Sequence, residues 1–167
     1  MRQLEIMDRY GRFLCYINRY QPSCTRPLAY NERLLEKAVV VPYLIWPNIN
    51  PFHRAGSLVN AVIDPGKAKD TADKDSMLKK MRKWARDARN RGDGIYNLNN
   101  PLQLLPFELR FIARQQPPNR WVIDFSKNDT TLLKPQNYYT VPNMEDRLFV
   151  PEEYVPLFVE KGWNKEV

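Results

Sequence analysis

Fourteen prolines are distributed along the 167 residues of this chain, and they restrict the length of its regular elements. Proline fixes one of its own backbone torsions, lacks an amide donor, and interrupts helices and central strands. A chain of this length buries a substantial core and fits one domain, or one domain with an appendage. The sequence therefore predicts a loop-rich body built from short helices and strands.

The strongest helical pattern covers residues 76–91. Asp75 or Ser76 is expected to cap its start, and Gly92 is a typical stop signal. Apolar residues recur at helical spacing and predict one buried stripe. The members of this predicted stripe are Met77, Met81, Trp84, Ala85 and Ala88.

Positive charge is concentrated in the first part of the chain. The net charge is +7, and residues 1–100 carry 18 Lys/Arg against 10 Asp/Glu, whereas residues 101–167 carry 8 against 9. A concentrated positive field suits a polyanion, because neutralised phosphates release counterions. Ordinary solubilising charge is the alternative explanation. Much of the excess lies on the faces of the 76–91 helix that we expect to be solvated, at Lys79, Lys80, Arg82, Lys83, Arg86, Arg89 and Arg91.

The other elements of the first hundred residues are short. Alternating apolar residues predict a hairpin over residues 3–18. Residues 31–38 fit a helix with Asn31 as its N-cap, and the valines of residues 39–41 fit a buried strand. Residues 51–75 have no periodicity, and Lys and Asp alternate over residues 67–75, which favours a long surface loop.

The remaining residues predict a different set of elements. A helix is expected from Pro106 to about Gln115, because proline is favoured in a first helical turn. Residues 121–125 predict a strand, and residues 131–133 a weaker one. A last helix fits residues 152–162, although Pro156 favours a break within it.

Three blocks of the sequence resemble one known family. Residues 8–17 read DRYGRFLCYI, which resembles the strand–turn–strand pattern DKYGRxLAYI of the staphylococcal nuclease (thermonuclease) family. NERLL at residues 31–35 and YLIWPN at residues 43–48 resemble the NExLV helix and YxYxPN loop of that family. The basic helix followed by Ile95-Tyr96 resembles the family's terminal helix, which closes on Ile-Trp.

The blocks follow the family's order and correspond only to the C-terminal half of its fold. Residues 1–97 are similar to this half, with an insertion at about 51–74. The resemblance implies an α+β fold in which a partial OB-type barrel hairpin is packed by helices. Residues 98–167 are expected to form a small C-terminal α/β extension of unknown function.

The resemblance also implies a phosphate-binding site in the hairpin. Arg12 matches the family's second phosphate-clamping arginine, the catalytic position, whose planar fork bonds two phosphoryl oxygens at once. Arg9 and Tyr10 match the lysine and tyrosine that bind the neighbouring phosphate. Without the family, Arg12 would be read as a solvated arginine beside a turn.

A nucleotide-facing aromatic position follows from the second block. Tyr43 matches a nucleobase-pocket tyrosine if the Pro-Asn pair sets the register, and Ile45 then replaces its aromatic partner. If the Asn-Glu helix sets the register, Trp46 takes the place of the aromatic partner, and Tyr43 no longer matches the nucleobase-pocket tyrosine. Packing beneath the prolines is an equal alternative for Tyr43 and Trp46, so base stacking and core packing both stay open.

The family's calcium-ligating aspartates, its glutamate base and its first arginine all precede this hairpin in the family pattern. Calcium needs carboxylate oxygens, and an attacking water needs a base within hydrogen-bond reach. The resemblance therefore implies that Arg12 binds phosphate without hydrolysing it. Ca²⁺ is implied only where the family's first half is also supplied, and this sequence predicts no metal site of its own.

A circular permutation is the one way in which the remaining residues could supply the family's first half. Residues 122–124, 129–130 and 147–152 faintly resemble family segments, although their spacing differs. This alternative requires Asp129, Arg147 and Glu152 to converge on Arg12.

The sequence supports two functional hypotheses. The first is a fragment of a thermonuclease-like phosphodiesterase that binds single-stranded DNA or RNA. The second is a non-catalytic nucleic-acid-binding or protein-interaction module that keeps the same scaffold. In either case the apolar side of the hairpin is expected to be covered by the C-terminal extension, by an N-terminal half or by a homodimer partner. No apolar run approaches the roughly 20 residues that span a bilayer, so a membrane is not an expected partner.

Overall fold

The computed structural model describes residues 29–167, and the predicted hairpin of residues 3–18 lies outside the described residues. Arg9, Tyr10 and Arg12 lie outside them as well. Within residues 29–167 the chain has an α+β fold, as the sequence predicts. The strands of this described region form small open sheets and do not close into a barrel.

Helices account for most of the regular structure in residues 29–167. The longest has sixteen residues, and none of the others exceeds nine. The helices are α1 (Tyr30–Glu36), α2 (Leu58–Ala61), α3 (Ala68–Lys74), α4 (Ser76–Arg91), α5 (Pro106–Arg114) and α6 (Val155–Glu160).

The strands pair residues that are far apart in the sequence. They are β1 (Leu44–Ile45), β2 (Arg120–Asp124), β3 (Thr131–Leu132), β4 (Arg147–Pro151) and β5 (Asn164–Lys165). In the described region, β4 lies at the centre of a three-stranded sheet, between a parallel β1 and an antiparallel β2. A parallel two-residue pair joins β3 to β5.

This sheet crosses the division predicted between residues 97 and 98. Leu44 of β1 lies opposite Leu148 of β4. Leu44 and Trp46 also belong to one buried apolar cluster with Val150 and Phe158. Described residues on the two sides of the predicted division therefore contribute to the same sheet and to the same buried cluster.

The bounds of α4 confirm the strongest sequence prediction. Asp75 caps the helix, because its Oδ1 accepts hydrogen bonds from the amides of Met77 at 3.1 Å and Leu78 at 2.8 Å. Gly92 ends it in the left-handed region, with φ at 68°. Local signals at both ends thus fix the element that carries most of the basic residues.

The buried face of α4 differs from the predicted stripe. Ala85 and Ala88 are buried as expected, but Leu78 and Arg82 are buried with them. Trp84 is only half-buried, which corrects its assignment to the core. The placement of Arg82 on the solvated face is also wrong, because that side chain points inward and is 4% exposed.

Residues 51–75 are structured, contrary to the prediction of a surface loop. They contain α2, α3 and a 3-10 turn at Phe52–Arg54. The segment supplies buried core residues, of which Ala68 and Ala72 lie one turn apart on α3. Most of its alternating charges are exposed on a helix that packs through small residues, while Asp73 reaches the buried Arg82 at 2.8 Å.

The prediction around residues 30–41 is partly wrong. The helix begins earlier than Asn31, and the amide of Ala29 at its start donates to the Glu32 carboxylate at 2.6 Å. Val39 and Val40 are exposed and form no strand. Ala38 is left-handed, and its carbonyl accepts from Ile95 at 2.9 Å. A β-carbon at Gly94 would lie 2.1 Å from that carbonyl oxygen, so glycine permits this contact.

The elements predicted after residue 100 are present, but the strands β4 and β5 were not predicted. The helix from Pro106, the strand near residues 121–125 and the short strand near residue 131 are all present. Residues 152–160 form a 3-10 turn followed by α6, and Pro156 lies in the first turn of α6, where its missing amide costs nothing. None of the helices within residues 29–167 has the length and apolar character needed to cross a membrane.

Candidate nucleic-acid interface

The outer face of α4 is the most basic exposed surface of any described helix. Lys79, Lys83 and Arg86 follow one another at helical spacing and are exposed, and Lys80 is exposed beside them. We call these four residues the outer cations. Lys79 and Arg86 are separated by seven residues, or about 10 Å along the helix axis.

Few carboxylates neutralise the outer cations. Lys83 pairs with Asp87 at 2.5 Å, one turn further along α4. Within residues 29–167, Lys79, Lys80 and Arg86 form no salt bridge. This surface therefore presents positive charge to solvent, where an anionic ligand can reach it.

The inner face of α4 carries Arg82, whose positive charge is paired with acceptors inside the protein. The guanidinium of Arg82 donates to Asp146 at 2.7 Å, to Asp73 at 2.8 Å and to the carbonyl of Phe125 at 3.1 Å. The Arg82 and Asp146 side chains are each 5% exposed. Because this ion pair is buried and hydrogen-bonded on several sides, it fixes α4 against β2 and the turn before β4.

Arg89, in the last turn of α4, makes a second inner contact. Its guanidinium donates to Glu145 at 2.8 Å and to the side-chain carbonyl of Asn143. The Asn143 amide donates in turn to Asp146 at 3.1 Å, which joins the contacts of Arg82 and Arg89 into one network. We call the group Asp73, Arg82, Arg89, Asn143, Glu145 and Asp146 the docking network.

Glu145 is the least solvated member of the docking network, with no exposed surface. Burial raises the pKa of its carboxyl group, and the nearby Arg89 only partly offsets this. Its Oε2 atom and the hydroxyl of Tyr96 are buried without a hydrogen-bond partner among the described residues. Burial, followed by the charge of Glu145, raises the pKa of Tyr96 to about 12.

The two described residues of the predicted nucleotide site are occupied by protein contacts. The Tyr43 ring stacks on Phe107 with ring centroids 5.0 Å apart, and lies 4.7 Å from the ring of Phe149. Its hydroxyl accepts a hydrogen bond from Arg120. Tyr43 is half-buried and does not stand free as a stacking surface.

Trp46 is completely buried, and its indole nitrogen donates to the carbonyl of Ala61 at 2.9 Å. Its ring packs edge-on against Tyr154 and Phe158, with both centroid distances at 5.1 Å. This surrounding leaves no ring surface for a nucleobase. Trp46 is therefore a core-packing residue in this structure.

Two of the three residues named for a permuted active site, Asp129 and Arg147, have local partners. Asp129 pairs with Lys127 at 2.9 Å, and Arg147 is buried with its Nε donating to the carbonyl of Val141 at 2.7 Å. Glu152 is exposed at the end of β4. Their convergence on Arg12 stays a prediction, because Arg12 lies outside the described residues.

Between residues 29 and 167, no group of three or more His, Cys, Asp or Glu side chains is placed to hold a metal ion. Comparison of the chain with protein-family models, curated proteins and solved structures found no match.

Sequence reasoning missed the docking network. One signal was available, because Leu78, Arg82, Ala85 and Arg89 recur at the spacing of a single helical face. Two arginines that share a stripe with Leu78 and Ala85 indicate inward ion pairs. Their partners Asp146 and Glu145 lie more than fifty residues away, and no local pattern identifies them.

Proposed function

We propose that this chain binds the phosphates of single-stranded nucleic acid, as a fragment of a thermonuclease-like phosphodiesterase. The binding surface combines the outer cations of α4 with Arg12, Arg9 and Tyr10 of the predicted hairpin. In this proposal the hairpin belongs to a partial OB-type barrel, the finer fold that the family resemblance implies.

The observation that carries the proposal is the asymmetry of α4. Its inner arginines are neutralised by buried carboxylates, whereas Lys79, Lys80 and Arg86 form no salt bridge within residues 29–167. Exposed cations in a row along two helical turns match the regular charge of a phosphate backbone, and their counterions are released on binding. Simple solubilising charge has no need of such a row.

Binding without hydrolysis is the expected activity of residues 1–167 by themselves. Arg12 is placed by the resemblance to stabilise charge on a phosphoryl group, and it supplies neither a base nor a hard-cation site. In the family, Ca²⁺ and the general base belong to the segment that precedes this hairpin. We therefore expect nuclease activity only where that segment and Ca²⁺ are also supplied.

A protein-interaction module is the second candidate, and the exposed apolar residues near α5 favour it. Leu109 and Ile112 of α5 are 58% and 61% exposed, and Leu98, Leu102 and Leu104 are exposed just before it. Light scattering at increasing concentration tests this candidate. A self-association that Leu109→Glu abolishes, together with no affinity for nucleic acid, would favour it over the first.

The phosphate-binding proposal is tested by titrating the full chain with a fluorescent oligothymidylate over a range of KCl concentrations. The variant Lys79→Gln/Arg86→Gln removes two outer cations, and Arg110→Gln/Arg114→Gln removes two exposed cations from α5 as a matched control. Each lost phosphate contact reduces the slope of log affinity against log salt by about 0.7. We expect the α4 variant to lower the slope by about 1.4, and the α5 variant to leave it unchanged.

Equal effects of the two double variants would show that only general charge matters, and would overturn the assignment to α4. The hairpin is tested separately by Arg12→Ala. If Arg12→Ala leaves the salt-dependent affinity for single-stranded DNA unchanged, the phosphate-clamp role of Arg12 is wrong.

A further inference from the structure

Trp84 differs from the other tryptophans of this protein. All four tryptophans of the sequence lie in the described part of the chain. Trp46, Trp121 and Trp163 are buried, with at most 8% of their surface exposed. Trp84 is half-buried on α4, next in sequence to Lys83.

A cation already lies against the Trp84 ring. The Nζ atom of Lys80 is 4.9 Å from the ring centroid, one helical turn away. Lys80 is exposed and forms no salt bridge within residues 29–167, and among these residues its head group lies against the Trp84 ring. A cation–π contact at an exposed site is weak, and the flexible lysine stem lets the ammonium leave the ring at little cost.

An aromatic ring beside exposed cations is an arrangement that single-stranded nucleic acids recognise. The phosphates pair with the cations, and an unpaired base stacks on the ring, whatever its identity. In a duplex the bases are stacked on one another and their faces are unavailable. The ring of Trp84 and the outer cations Lys80 and Lys83 lie within about one turn of the same helix.

We propose that Trp84 is a base-stacking platform that makes the α4 surface selective for single strands. The inference rests on the proposed phosphate-binding function and adds a contact to the base. On binding, the base takes the place of the Lys80 ammonium on the ring, and Lys80 moves to the adjoining phosphate. Sequence discrimination is not expected, because stacking uses a face that every base has.

The competing explanation is that Lys80 and Trp84 only stabilise α4 as a pair one turn apart. Both explanations describe the free protein equally well. They differ when ligand is bound. If the base stacks on Trp84, a ligand that has bases contacts the ring and a ligand without bases does not.

The test measures intrinsic tryptophan fluorescence and affinity with three probes: oligothymidylate, a duplex of equal length, and inorganic polyphosphate. The three other tryptophans are shielded, so quenching by a ligand reports on Trp84. We expect oligothymidylate to quench the emission, while the duplex and polyphosphate bind without comparable quenching. Trp84→Leu is expected to weaken oligothymidylate binding roughly tenfold and to leave polyphosphate binding unchanged.

Trp84→Tyr is the conservative variant, because it keeps an aromatic face while changing the size of the ring. It is expected to bind oligothymidylate within a few-fold of the original protein, whether or not Trp84→Leu folds fully. Lys79→Gln is the charge control and should weaken binding of oligothymidylate and polyphosphate alike.

The results distinguish base stacking on Trp84 from phosphate binding by the outer cations. If Trp84→Leu binds oligothymidylate as tightly as the original protein, or polyphosphate quenches equally, the stacking platform is wrong and phosphate binding stands. If Trp84→Tyr loses as much affinity as a folded Trp84→Leu, stacking is likewise overturned. If the original protein binds neither oligothymidylate nor polyphosphate, the proposed function itself fails.

Discussion

The two faces of α4 show opposite uses of the same residue types. On the inner face, Arg82 and Arg89 bond to buried carboxylates and hold the helix against the rest of the protein. On the outer face, Lys79 and Arg86 are exposed and form no salt bridge within residues 29–167. The net charge of a helix therefore does not indicate what the helix binds until the burial of each charged residue is known.

The chemistry of the side chains accounts for part of this division. Both cations of the docking network are arginines, whose planar guanidinium supplies several donors in fixed directions. Arg82 uses three of its nitrogens to reach Asp73, Asp146 and the Phe125 carbonyl. A lysine ammonium could not span these acceptors from one position, whereas a solvated outer face accepts either residue type.

The largest expected effect comes from applying one substitution to both faces. Arg82→Leu leaves Asp146 buried without its cation, and we expect it to lower the free energy of unfolding by about 3 to 5 kcal/mol. Arg86→Leu on the outer face should change it by no more than about 0.5 kcal/mol. Urea unfolding followed by far-ultraviolet circular dichroism measures both, and similar urea midpoints for the two variants would contradict the comparison.

A second variant separates the loss of a favourable pair from the cost of a stranded charge. Arg82→Met/Asp146→Leu removes both ions and replaces them with apolar side chains. Buried ion pairs replaced in this way are often neutral or better in stability. We expect the double variant to regain most of the stability that Arg82→Leu loses.

A smaller effect is expected from the pH dependence of Glu145. Burial raises the pKa of this carboxyl above its ordinary value of 4.5, so the folded protein holds the proton more tightly than the unfolded chain. The contribution of Glu145 to stability is therefore full below the unfolded pKa, and it is lost as the pH rises through the folded pKa. The stability of the original protein relative to Glu145→Gln should fall as the pH increases from about 4.5 towards neutrality.

Urea unfolding of the two proteins at a series of pH values measures this difference, and the shared contributions of the other carboxyl groups cancel in it. A difference that stays constant or rises with pH would show that Arg89, rather than burial, dominates the environment of Glu145.

The smallest effect belongs to the outer face. Lys83 and Asp87 form an ion pair one helical turn apart, with 70% of the lysine side chain exposed. A double-mutant cycle with Lys83→Gln and Asp87→Asn should give a coupling of about 0.3 to 0.5 kcal/mol that declines in high salt. A coupling several times larger, or one insensitive to salt, would mean that the outer face is less solvated than its exposure indicates.

Local signals predicted those parts of the fold that local contacts determine. The bounds of α4 follow from Asp75 at one end and Gly92 at the other, since both act within a few residues. The helix at Pro106 and the strand near Trp121 were predictable for the same reason.

The errors occur where distant residues decide the structure. α3 buries Ala68 and Ala72, which carry little hydrophobic signal, so its alternating charges dominated the sequence pattern. Val39 and Val40 are exposed because Ala38 makes a left-handed turn and contacts Ile95, a long-range contact that the valines themselves do not encode. The strand partner of β1 is more than a hundred residues away.

The candidate site was predictable to a similar degree. The outer cations were identified from helical periodicity, and Lys79, Lys80, Lys83 and Arg86 are indeed exposed. Arg82 was predicted on the solvated face, because the sequence does not show which arginine forms the salt bridge with Asp146. Arg9, Tyr10 and Arg12 stay predictions, since they lie outside the described residues.

The parallel pairing of β1 with β4 has a consequence during synthesis on the ribosome. Leu44 emerges long before its partner Leu148, and at ordinary elongation speeds the delay is about 5 to 20 s. Throughout that interval the nascent chain carries an unmatched strand edge beside Trp46, whose final neighbours Tyr154 and Phe158 have also not been made. The three-stranded sheet can thus be completed only after β4 has been made, so the apolar β1 segment stays accessible to chaperones while the intervening residues are synthesised.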